Sequence, residues 1–338
     1  MIKRALNHLR HLIDIDTRMG ARGETRAARY LSTQLSSHQI SNRLVEPLSG
    51  QGSITARIPG TRADCLLLLC HLDTADYDAS QWRIPPDRAT VTPRYIGGRG
   101  ALDCKGLTAI WLAILEEIVR TGQTPRRTIL FAATADEENG GENGLQYLTE
   151  CTDLLDRTTL VLSEGGGYPV PLDGQTLFTL QTGEVIEPAR TPPPEREEIL
   201  QQGLQLRYYS ERTLTYARRA PEITDGRRIA PEAFAEDAWP RISAPGPDHA
   251  GYPRLYRMVD RILQKQNPSY ACLPFITPGY SDNRYFRQAG IDTLGFFPLA
   301  PDNPISGIHG VDECLTMASL HLACQTLFQL VWTLTMEE

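Results

Sequence analysis

Residues 65–74 read Cys65-Leu66-Leu67-Leu68-Leu69-Cys70-His71-Leu72-Asp73-Thr74, an apolar run followed directly by polar residues. A short continuous apolar run is typical of a strand buried on both faces, as in a parallel sheet. Open α/β sheets place their ligand sites at the carboxyl ends of such strands. The stretch therefore predicts a buried parallel strand that carries His71 and Asp73 to a site. The alternative is that these two side chains make only turn or helix-cap contacts.

Two later stretches repeat this arrangement of an apolar strand followed by acidic residues. The first runs from 128 to 133 and leads to Asp136-Glu137-Glu138, and the second runs from 159 to 162 and ends in Ser163-Glu164-Gly165. Three consecutive acids are costly to hold together without a cation, although a solvated loop is the common alternative. Because three strands in succession end in potential ligands, we expect these ends to form one site.

A glycine-rich turn, Gly97-Gly98-Arg99-Gly100-Ala101-Leu102-Asp103-Cys104-Lys105-Gly106, leads into a strongly apolar helix at 107–119. By itself this stretch could bind phosphate or simply turn the chain. A further candidate ligand, His309, lies in the loop 305–313. Together with the strand ends, these residues predict a metal site in which Asp103 bridges two ions.

Two imidazoles and several carboxylates suit a two-metal centre, in which each ion takes one histidine, the shared carboxylate and one further carboxylate. Nitrogen and oxygen ligands without thiolate favour Zn²⁺, with Co²⁺ or Mn²⁺ as alternatives. One acid is then left over and can act as a base. The candidate residues are His71, Asp103, Glu137, Glu138, Glu164 and His309.

The composition restricts the class of protein. The chain has 338 residues, enough for one large domain or two smaller ones, and its net charge of −7 argues against a nucleic-acid partner. The seven cysteines are odd in number and form no CxxC pair, which is typical of a reduced, cytoplasmic protein. The N-terminal segment lacks the apolar core of a signal peptide, and no apolar run approaches a membrane span.

The periodicity predicts an α/β fold. Helices are expected at 3–13, after Gly23, and at 107–119, 142–151, 255–263 and 314–334, and further strands at 53–58 and 293–297. Between 181 and 254 the chain is rich in turn formers and its periodicity is weak. We therefore predict a catalytic domain formed by 1–180 and 255–338, with 181–254 inserted as a reduced, lid-like or irregular subdomain.

The sequence resembles the co-catalytic zinc aminoacylase and carboxypeptidase family, which includes acetylornithine deacetylase, succinyl-diaminopimelate desuccinylase, aminoacylase and carboxypeptidase S. The resemblance covers 1–180 and 255–338 and implies a three-layer α/β/α sandwich with a mostly parallel central sheet. The matching motifs are His71-Leu72-Asp73-Thr74, Gly98-Arg99-Gly100-Ala101-Leu102-Asp103-Cys104-Lys105-Gly106, Asp136-Glu137-Glu138-Asn139-Gly140-Gly141, Glu164-Gly165-Gly166, Ser281-Asp282-Asn283-Arg284 and His309-Gly310-Val311-Asp312-Glu313.

The resemblance also implies roles for single residues. One zinc ion would be held by His71, Asp103 and Glu164, and the other by Asp103, Glu138 and His309. Asp73 would orient His71, and Glu137 would be the general base. The peptide bond between Asp103 and Cys104 would be cis. Substrate contacts would come from Arg284, whose guanidinium suits a carboxylate, and from Ser281, Asn283 and Gly165.

These roles imply an amidohydrolase with two Zn²⁺ ions that cleaves an N-acyl amino acid or a small peptide with a free carboxylate. A metal-bridged water, activated by Glu137, would attack the amide carbonyl. The alternative is a non-hydrolytic protein on the same scaffold: an amide-forming or acyl-transfer enzyme, or a metal-dependent binding protein.

The chain departs from the family in the lid domain, which normally carries a Gly-x-x-Gly-His-Ser motif with an oxyanion-binding histidine. The nearest stretch is Gly246-Pro247-Asp248-His249-Ala250-Gly251-Tyr252-Pro253, and His249 is its candidate oxyanion donor. An arginine from 207–228 is an alternative donor. This departure also puts the dimer of the family in doubt. The remaining histidines, His8, His11, His38 and His321, are assigned structural or surface roles.

Overall fold

A computed structural model of the protein describes residues 1–172, 174–185, 242–243, 251–277 and 281–337. Contacts between Cα atoms divide the chain into two compact units. The first combines Met1–Glu164 with Leu299–Glu338, and the second is Gly165–Pro298. Most of the predicted insert, 181–254, lies outside the described residues, so its lid-like character and the predicted domain boundaries stay predictions.

The first unit contains a sheet, a smaller sheet and surrounding helices. Its helices are α1 (Ile2–Ile13), α2 (Glu24–Ser37), α3 (Lys105–Arg120), α4 (Tyr147–Cys151), α5 (Leu154–Arg157) and, near the C-terminus, α8 (Met317–Trp332). Its strands are β1 (Ser41–Leu48), β2 (Gln51–Ile58), β3 (Cys65–His71), β4 (Thr90–Val91), β5 (Tyr95–Gly97), β6 (Thr128–Thr134), β7 (Thr158–Ser163) and β13 (Cys314–Thr316).

The larger sheet of this unit has the strand order β1-β2-β6-β3-β7. Strand β3 is parallel to both β6 and β7, whereas β1 and β2 continue the sheet in antiparallel fashion. Every residue of β3 and β6 is buried, so both faces of the sheet centre are covered. This confirms the predicted α/β fold with buried parallel central strands.

Helix α3 holds the end of β3 in place. The indole nitrogen of Trp111 donates a hydrogen bond to the main-chain oxygen of Leu69 at 3.2 Å. The hydroxyl of Thr108 donates to the main-chain oxygen of His71, also at 3.2 Å. Both side chains are fully buried, so these bonds fix the strand end that carries His71.

Some predicted elements differ from the observed ones. The predicted helix 142–151 begins with a π-type turn, Glu142–Gln146, and becomes regular only in α4, because Gly144 has φ −109° and ψ −109°. The predicted helix 314–334 begins with β13, and α8 starts only after Thr316, whose hydroxyl accepts the N–H of Ser319 at 3.1 Å. The N-terminal half of the chain also contains β1, which the sequence did not predict.

The second unit is centred on β9 (Gln175–Val185). This strand pairs with β11 (Tyr270–Thr277) in parallel fashion and with the strands β8 (Pro169–Leu172), β10 (Ile242–Ser243) and β12 (Asp292–Gly295) in antiparallel fashion. Its helices are α6 (Gly251–Gln266) and α7 (Asn283–Gln288). The carboxylate of Asp260 in α6 accepts the main-chain N–H of Cys272 at 2.7 Å, which joins this helix to β11.

Among the described residues, no helix is long and apolar enough to cross a membrane.

Candidate metal centre

The predicted ligands of the first unit lie where the parallel strands end. His71 is the last residue of β3, Glu138 lies in a 3₁₀ turn after β6, and Glu164 directly follows β7. His309 lies in the segment before β13 and has a positive φ of 53°. Because β3 is parallel to both of its neighbours, the three strand ends meet at one edge of the sheet.

Asp103 lies between the two histidines and turns a different oxygen to each. The Nε2 atom of His71 is 2.9 Å from Oδ1 of Asp103 and 3.4 Å from Oε2 of Glu164. The Nε2 atom of His309 is 3.1 Å from Oδ2 of Asp103 and 3.0 Å from Oε2 of Glu138. The structure therefore brings together all five predicted metal ligands, in two groups that share Asp103.

Hydrogen bonding determines which ring nitrogen of His71 faces the carboxylates of the cluster. Its Nδ1 atom is 2.9 Å from the main-chain oxygen of Asp73, which can only accept, so Nδ1 carries the hydrogen. The Nε2 atom, which faces the carboxylate oxygens of Asp103 and Glu164, is then left to carry a second proton or to bind a cation. Acceptors at this spacing attract one another only through a proton or a metal ion between them.

The spacing of the groups fits metal ions. Bond lengths to zinc of about 2.0–2.2 Å, at angles between about 90° and 110°, place a ligand nitrogen and oxygen about 2.9–3.4 Å apart. The separations around Asp103 are 2.9, 3.4, 3.1 and 3.0 Å. All of them fall within this range, so the residues fit a centre of two ions.

The electrostatics of the cluster also favour positive charge. Hydrogen bonds to Asp103 and Glu138 raise the pKa of His309 to about 10. Burial opposes charge on the His71 ring, but Cys104, Glu164 and the other acids around it raise its pKa well above the usual range. Burial raises the pKa of Glu164. The site therefore holds more acidic groups than its two imidazoles balance, as a site for divalent cations would.

The cysteine next to Asp103 lies against the main chain. The Asp103–Cys104 peptide bond is cis, as the resemblance predicts. The Cys104 sulfur accepts the main-chain N–H of His71 at 3.2 Å. Potential ligand atoms of His71, Cys104 and Glu164 lie within 4.8 Å of one another, but burial raises the pKa of the Cys104 thiol well above its usual range. The contact of the Cys104 sulfur with the main chain of His71 agrees with the prediction that nitrogen and oxygen atoms are the ligands.

Asp73 connects the turns after β3 and β6. Its Oδ2 atom accepts the main-chain N–H of Glu138 at 2.9 Å, and Oε1 of Glu138 accepts the N–H of Ala75 at 2.9 Å. The nearest contact between Asp73 and Nδ1 of His71 is through the main-chain oxygen, since the carboxylate is 3.5 Å away. The main-chain oxygen of Asp73 is thus closer to the His71 ring than its carboxylate is, and the predicted role of Asp73 in orienting His71 stays a prediction.

The acids at 136–138 have different surroundings. Asp136, with φ 64°, accepts the main-chain N–H of Asn143 at 2.9 Å and so shapes the turn that follows. Glu138 faces His309, as described above. Glu137 lies between them in the chain, in the same 3₁₀ turn as Glu138, and is 7% exposed. Its place beside a predicted ligand is compatible with the role of a base, which stays a prediction.

The predicted substrate residues belong to the second unit, where they take part in a buried polar network. The hydroxyl of Ser281 donates to Glu184 at 2.7 Å, and Glu184 also pairs with Arg287 at 2.8 Å. The side-chain nitrogen of Asn283 donates to Oε1 of Gln181 at 2.6 Å. Sequence reasoning missed Glu184 and Arg287, since a lone acid in a strand and a lone arginine in a helix usually lie on a surface.

Two further predicted substrate residues also have contacts within this unit. Arg284 donates from Nη1 to the main-chain oxygen of Ser281 at 2.8 Å, and its guanidinium lies 4.7 Å from the centre of the Tyr285 ring. Gly165 has φ +98°, and a Cβ there would be 2.3 Å from Nε2 of Gln181. The predicted oxyanion donor His249 and the arginines of 207–228 lie outside the described residues.

Histidines assigned structural or surface roles make contacts away from the cluster. His8 is buried, with Nε2 3.0 Å from Glu116 and Nδ1 2.8 Å from the Tyr30 hydroxyl. The Nδ1 atom of His321 is 2.7 Å from the main-chain oxygen of Met317, one turn earlier in its own helix. These contacts agree with the predicted roles.

Similarity to solved structures supports the fold. Human carnosine dipeptidase 1 superposes with a TM-score of 0.68 at 12% identity, covering 97% of this chain and 96% of that one. The M20 family metallo-carboxypeptidase Sso-CP2 from Sulfolobus solfataricus gives 0.67 at 15% identity, with coverage of 97% and 98%. At these identities the likeness establishes the fold alone.

Curated relatives match over shorter segments. An N-fatty-acyl-amino acid synthase/hydrolase, PM20D1 of Xenopus tropicalis, is 30% identical over 156 residues, which is 43% of this chain and 29% of the relative. The succinyl-diaminopimelate desuccinylase of Alkalilimnicola ehrlichii is 35% identical over 112 residues, 33% of this chain and 27% of the relative. The matched part of the chain thus spans less than a third of the length of either relative.

The sequence pattern described as Peptidase family M20/M25/M40 matches residues 67–333, which include all five predicted metal ligands. This range covers well over half of the 338 residues. The chain therefore belongs to peptidase family M20/M25/M40.

Proposed function

We propose that the protein is an amidohydrolase with two zinc ions that cleaves the amide bond of an N-acyl amino acid or small peptide bearing a free carboxylate. The observation that carries the proposal is the arrangement around Asp103. Its two carboxylate oxygens face different histidines, and each histidine nitrogen faces one further carboxylate. A single carboxylate placed in this way suits a bridge between two cations.

In this proposal, His71, Asp103 and Glu164 hold one ion, and Asp103, Glu138 and His309 hold the other. When bound, the ions would supply Lewis acidity and a water of lowered pKa. The main-chain oxygen of Asp73 keeps the hydrogen of His71 on Nδ1, which leaves Nε2 free of hydrogen for metal binding. The side chain of Asp73 fixes the backbone of Glu138 at the same time.

The proposed base is Glu137. It would accept the proton of the attacking water and return that proton to the leaving amine, as general acid–base catalysis requires. Its buried position beside Glu138 supports the assignment, because a base shielded from bulk water keeps the proton for the leaving group. The two neighbouring acids have other contacts: Asp136 shapes the next turn, and Glu138 faces His309. Neither is therefore proposed as the base.

The substrate class rests on Arg284 and on the names of similar proteins. A guanidinium offers a fork of donors that matches a carboxylate, so Arg284 is the proposed contact for the carboxylate of the substrate. Ser281 and Asn283, with Gly165, would shape the surroundings of that contact. The names desuccinylase, dipeptidase and carboxypeptidase of similar proteins describe cleavage, and the name synthase/hydrolase describes both directions. The comparisons therefore do not favour a purely non-hydrolytic alternative.

The proposal is tested by metal content together with turnover on a panel of N-acyl amino acids and dipeptides. We expect about two zinc ions per chain and cleavage of at least one class of amide. Glu137→Gln should lower kcat by about 10²–10⁴-fold and retain the metal. The matched control is Glu142→Gln, which changes an exposed acid in the next turn and should leave kcat unchanged. Bound metal without cleavage of any amide in the panel would refute hydrolysis, and an unchanged kcat in Glu137→Gln would refute the role of Glu137 as the base.

A further inference from the structure

A buried ion pair joins the two loops that carry Asp103 and His309. Nη1 of Arg99 is 2.9 Å from Oε2 of Glu313, and these residues are 4% and 0% exposed. Burying two charges is costly, and an apolar pair of similar volume often serves stability as well or better. The contacts of this pair therefore suggest a role beyond stability.

The Glu313 carboxylate organises the loop that carries Asp103. Its Oε1 atom accepts the main-chain N–H of Leu102 at 2.7 Å and of Asp103 at 3.0 Å. Its Oε2 atom accepts the N–H of Gly100 at 2.9 Å in addition to the bond from Arg99. The Glu313 carboxylate thus fixes the backbone between Gly100 and Asp103, the residue that faces both histidines.

The Arg99 guanidinium holds the loop that carries His309. Nη2 donates to the main-chain oxygen of Gly310 at 2.8 Å, and Nη1 lies 3.5 Å from the oxygen of Gly307. These carbonyls lie on either side of His309, whose own φ is positive at 53°. The Trp82 ring packs against the guanidinium at 5.0 Å and so restricts its movement.

We propose that Arg99 and Glu313 are positioning residues that fix the distance between Asp103 and His309 and thereby set the affinity for the ion held by Asp103, Glu138 and His309. This inference rests on the proposed function, since it presupposes two ions. The affinities for the two ions should change unequally. The other ion would keep His71 and Glu164, which are carried by strand ends, whereas the ion at His309 depends on the loop held by Arg99.

Two variants test the proposal in the full chain, with stepwise zinc affinities measured by competition with chromophoric chelators. Arg99→Lys keeps a positive charge beside Glu313 but cannot reach the loop carbonyls with two nitrogens. Glu313→Gln keeps the size of the side chain but turns an N–H₂ group toward main-chain donors. Arg99→Lys should weaken one binding step by about 10–100-fold, the usual effect of groups that support metal ligands. Glu313→Gln should weaken the same step at least as much and the other step by less, because its carboxylate holds the N–H of Asp103, which both ions share. His309→Ala, which removes a proposed ligand, identifies that step.

The matched control is Glu116→Gln in the same unit. Glu116 is also a buried carboxylate, 1% exposed, and pairs with Arg4 at 2.9 Å and with His8 at 3.0 Å. The Glu116→Gln variant should unfold at a lower urea concentration than the wild type and keep both zinc affinities unchanged. The control thereby separates a general loss of stability from a change at the metal site.

The outcomes separate this inference from the proposed function. If the wild-type protein binds two ions and the folded variants keep both affinities, the inference is overturned and the two-metal proposal stands. If the wild-type protein binds fewer than two ions, the proposed function fails and this inference fails with it. Should Glu313→Gln not fold, Arg99→Lys decides the question, because it preserves the buried charge.

Discussion

Glu24 gives rise to a pH dependence of stability whose sign and size follow from its surroundings. It lies in the first turn of α2, is 2% exposed, and its Oε2 atom has no hydrogen-bond partner among the described residues. Burial raises its pKa to about 7, with a further contribution from the negative charges of Asp73 and Asp136. Its own main-chain N–H and the charge of Lys105 act in the opposite direction but do not offset this rise.

The sign follows from proton linkage. The pKa rises on folding from 4.5 to about 7, so the folded protein binds more protons than the unfolded chain between these values. Protonated Glu24 therefore makes its full contribution to the free energy of unfolding below pH 4.5, and this contribution is lost as the pH rises to about 7. At about 1.4 kcal/mol per pKa unit, the loss is about 3 kcal/mol. Glu24→Gln keeps the shape of the protonated acid and cannot ionise, so it should avoid this loss.

The measurement is urea unfolding of metal-free wild-type protein and Glu24→Gln at intervals from about pH 5 to about pH 8. The free energy of unfolding of the variant should exceed that of the wild type by little at the acidic end and by about 3 kcal/mol at the alkaline end. The control is Glu46→Gln. The N–H of Gly50 and the hydroxyl of Thr25 lower the pKa of Glu46, so its contribution is lost only on acidification below this window. Parallel pH profiles for wild type and Glu24→Gln would refute the reasoning.

Three further changes test the fold and the site. Gly144→Ala should destabilise the protein by at least about 2 kcal/mol in urea unfolding, because the new Cβ would be 1.7 Å from the main-chain oxygen of Ala135. The control is Gly122→Ala: a Cβ there has no atom within 4 Å, so the variant should lose only about 1 kcal/mol, the strain of its positive φ. Removing zinc with a chelator should lower the melting temperature, since metal at about 1,000 times its Kd stabilises by about 4 kcal/mol; unchanged melting would contradict a metal centre. Arg284→Gln should raise KM about 10–100-fold for substrates with a free carboxylate but little for the corresponding amides, and equal effects on both would argue against a carboxylate contact.

The elements that position the site could be predicted because their signals are local. Strands β3, β6 and β7 are apolar runs buried on both faces, and such runs are recognisable without knowledge of their neighbours. Each is followed by polar residues, and the parallel arrangement then places these at one edge. His309 was a candidate ligand because of its residue type, and its place at one particular ion was implied by the resemblance, since a histidine in a loop has no periodic pattern of its own.

The strands that were missed have weaker or conflicting patterns. Strand β1 contains Pro47 and only scattered apolar residues, and β11 contains Pro274 within an otherwise apolar run. Proline removes a main-chain donor, so it argues against a strand unless an edge or an irregularity accommodates it. In strand β9 threonine and glutamine interrupt the apolar residues. Thr179 and Gln181 are nevertheless buried, and Gln181 accepts a hydrogen bond from Arg287 inside the second unit.

The contacts that support the site are beyond sequence reasoning for a different reason. Arg99 and Glu313 are 214 positions apart, and nothing in either local sequence specifies that they meet. A charged residue in a glycine-rich turn is solvated in most proteins, so its burial follows only from the three-dimensional arrangement of the loops. The ligands themselves are limited to a few residue types by the chemistry of the ion, whereas a supporting contact needs only a donor opposite an acceptor. A motif therefore predicts which residues face the ion, and the structure is needed to identify what holds them there.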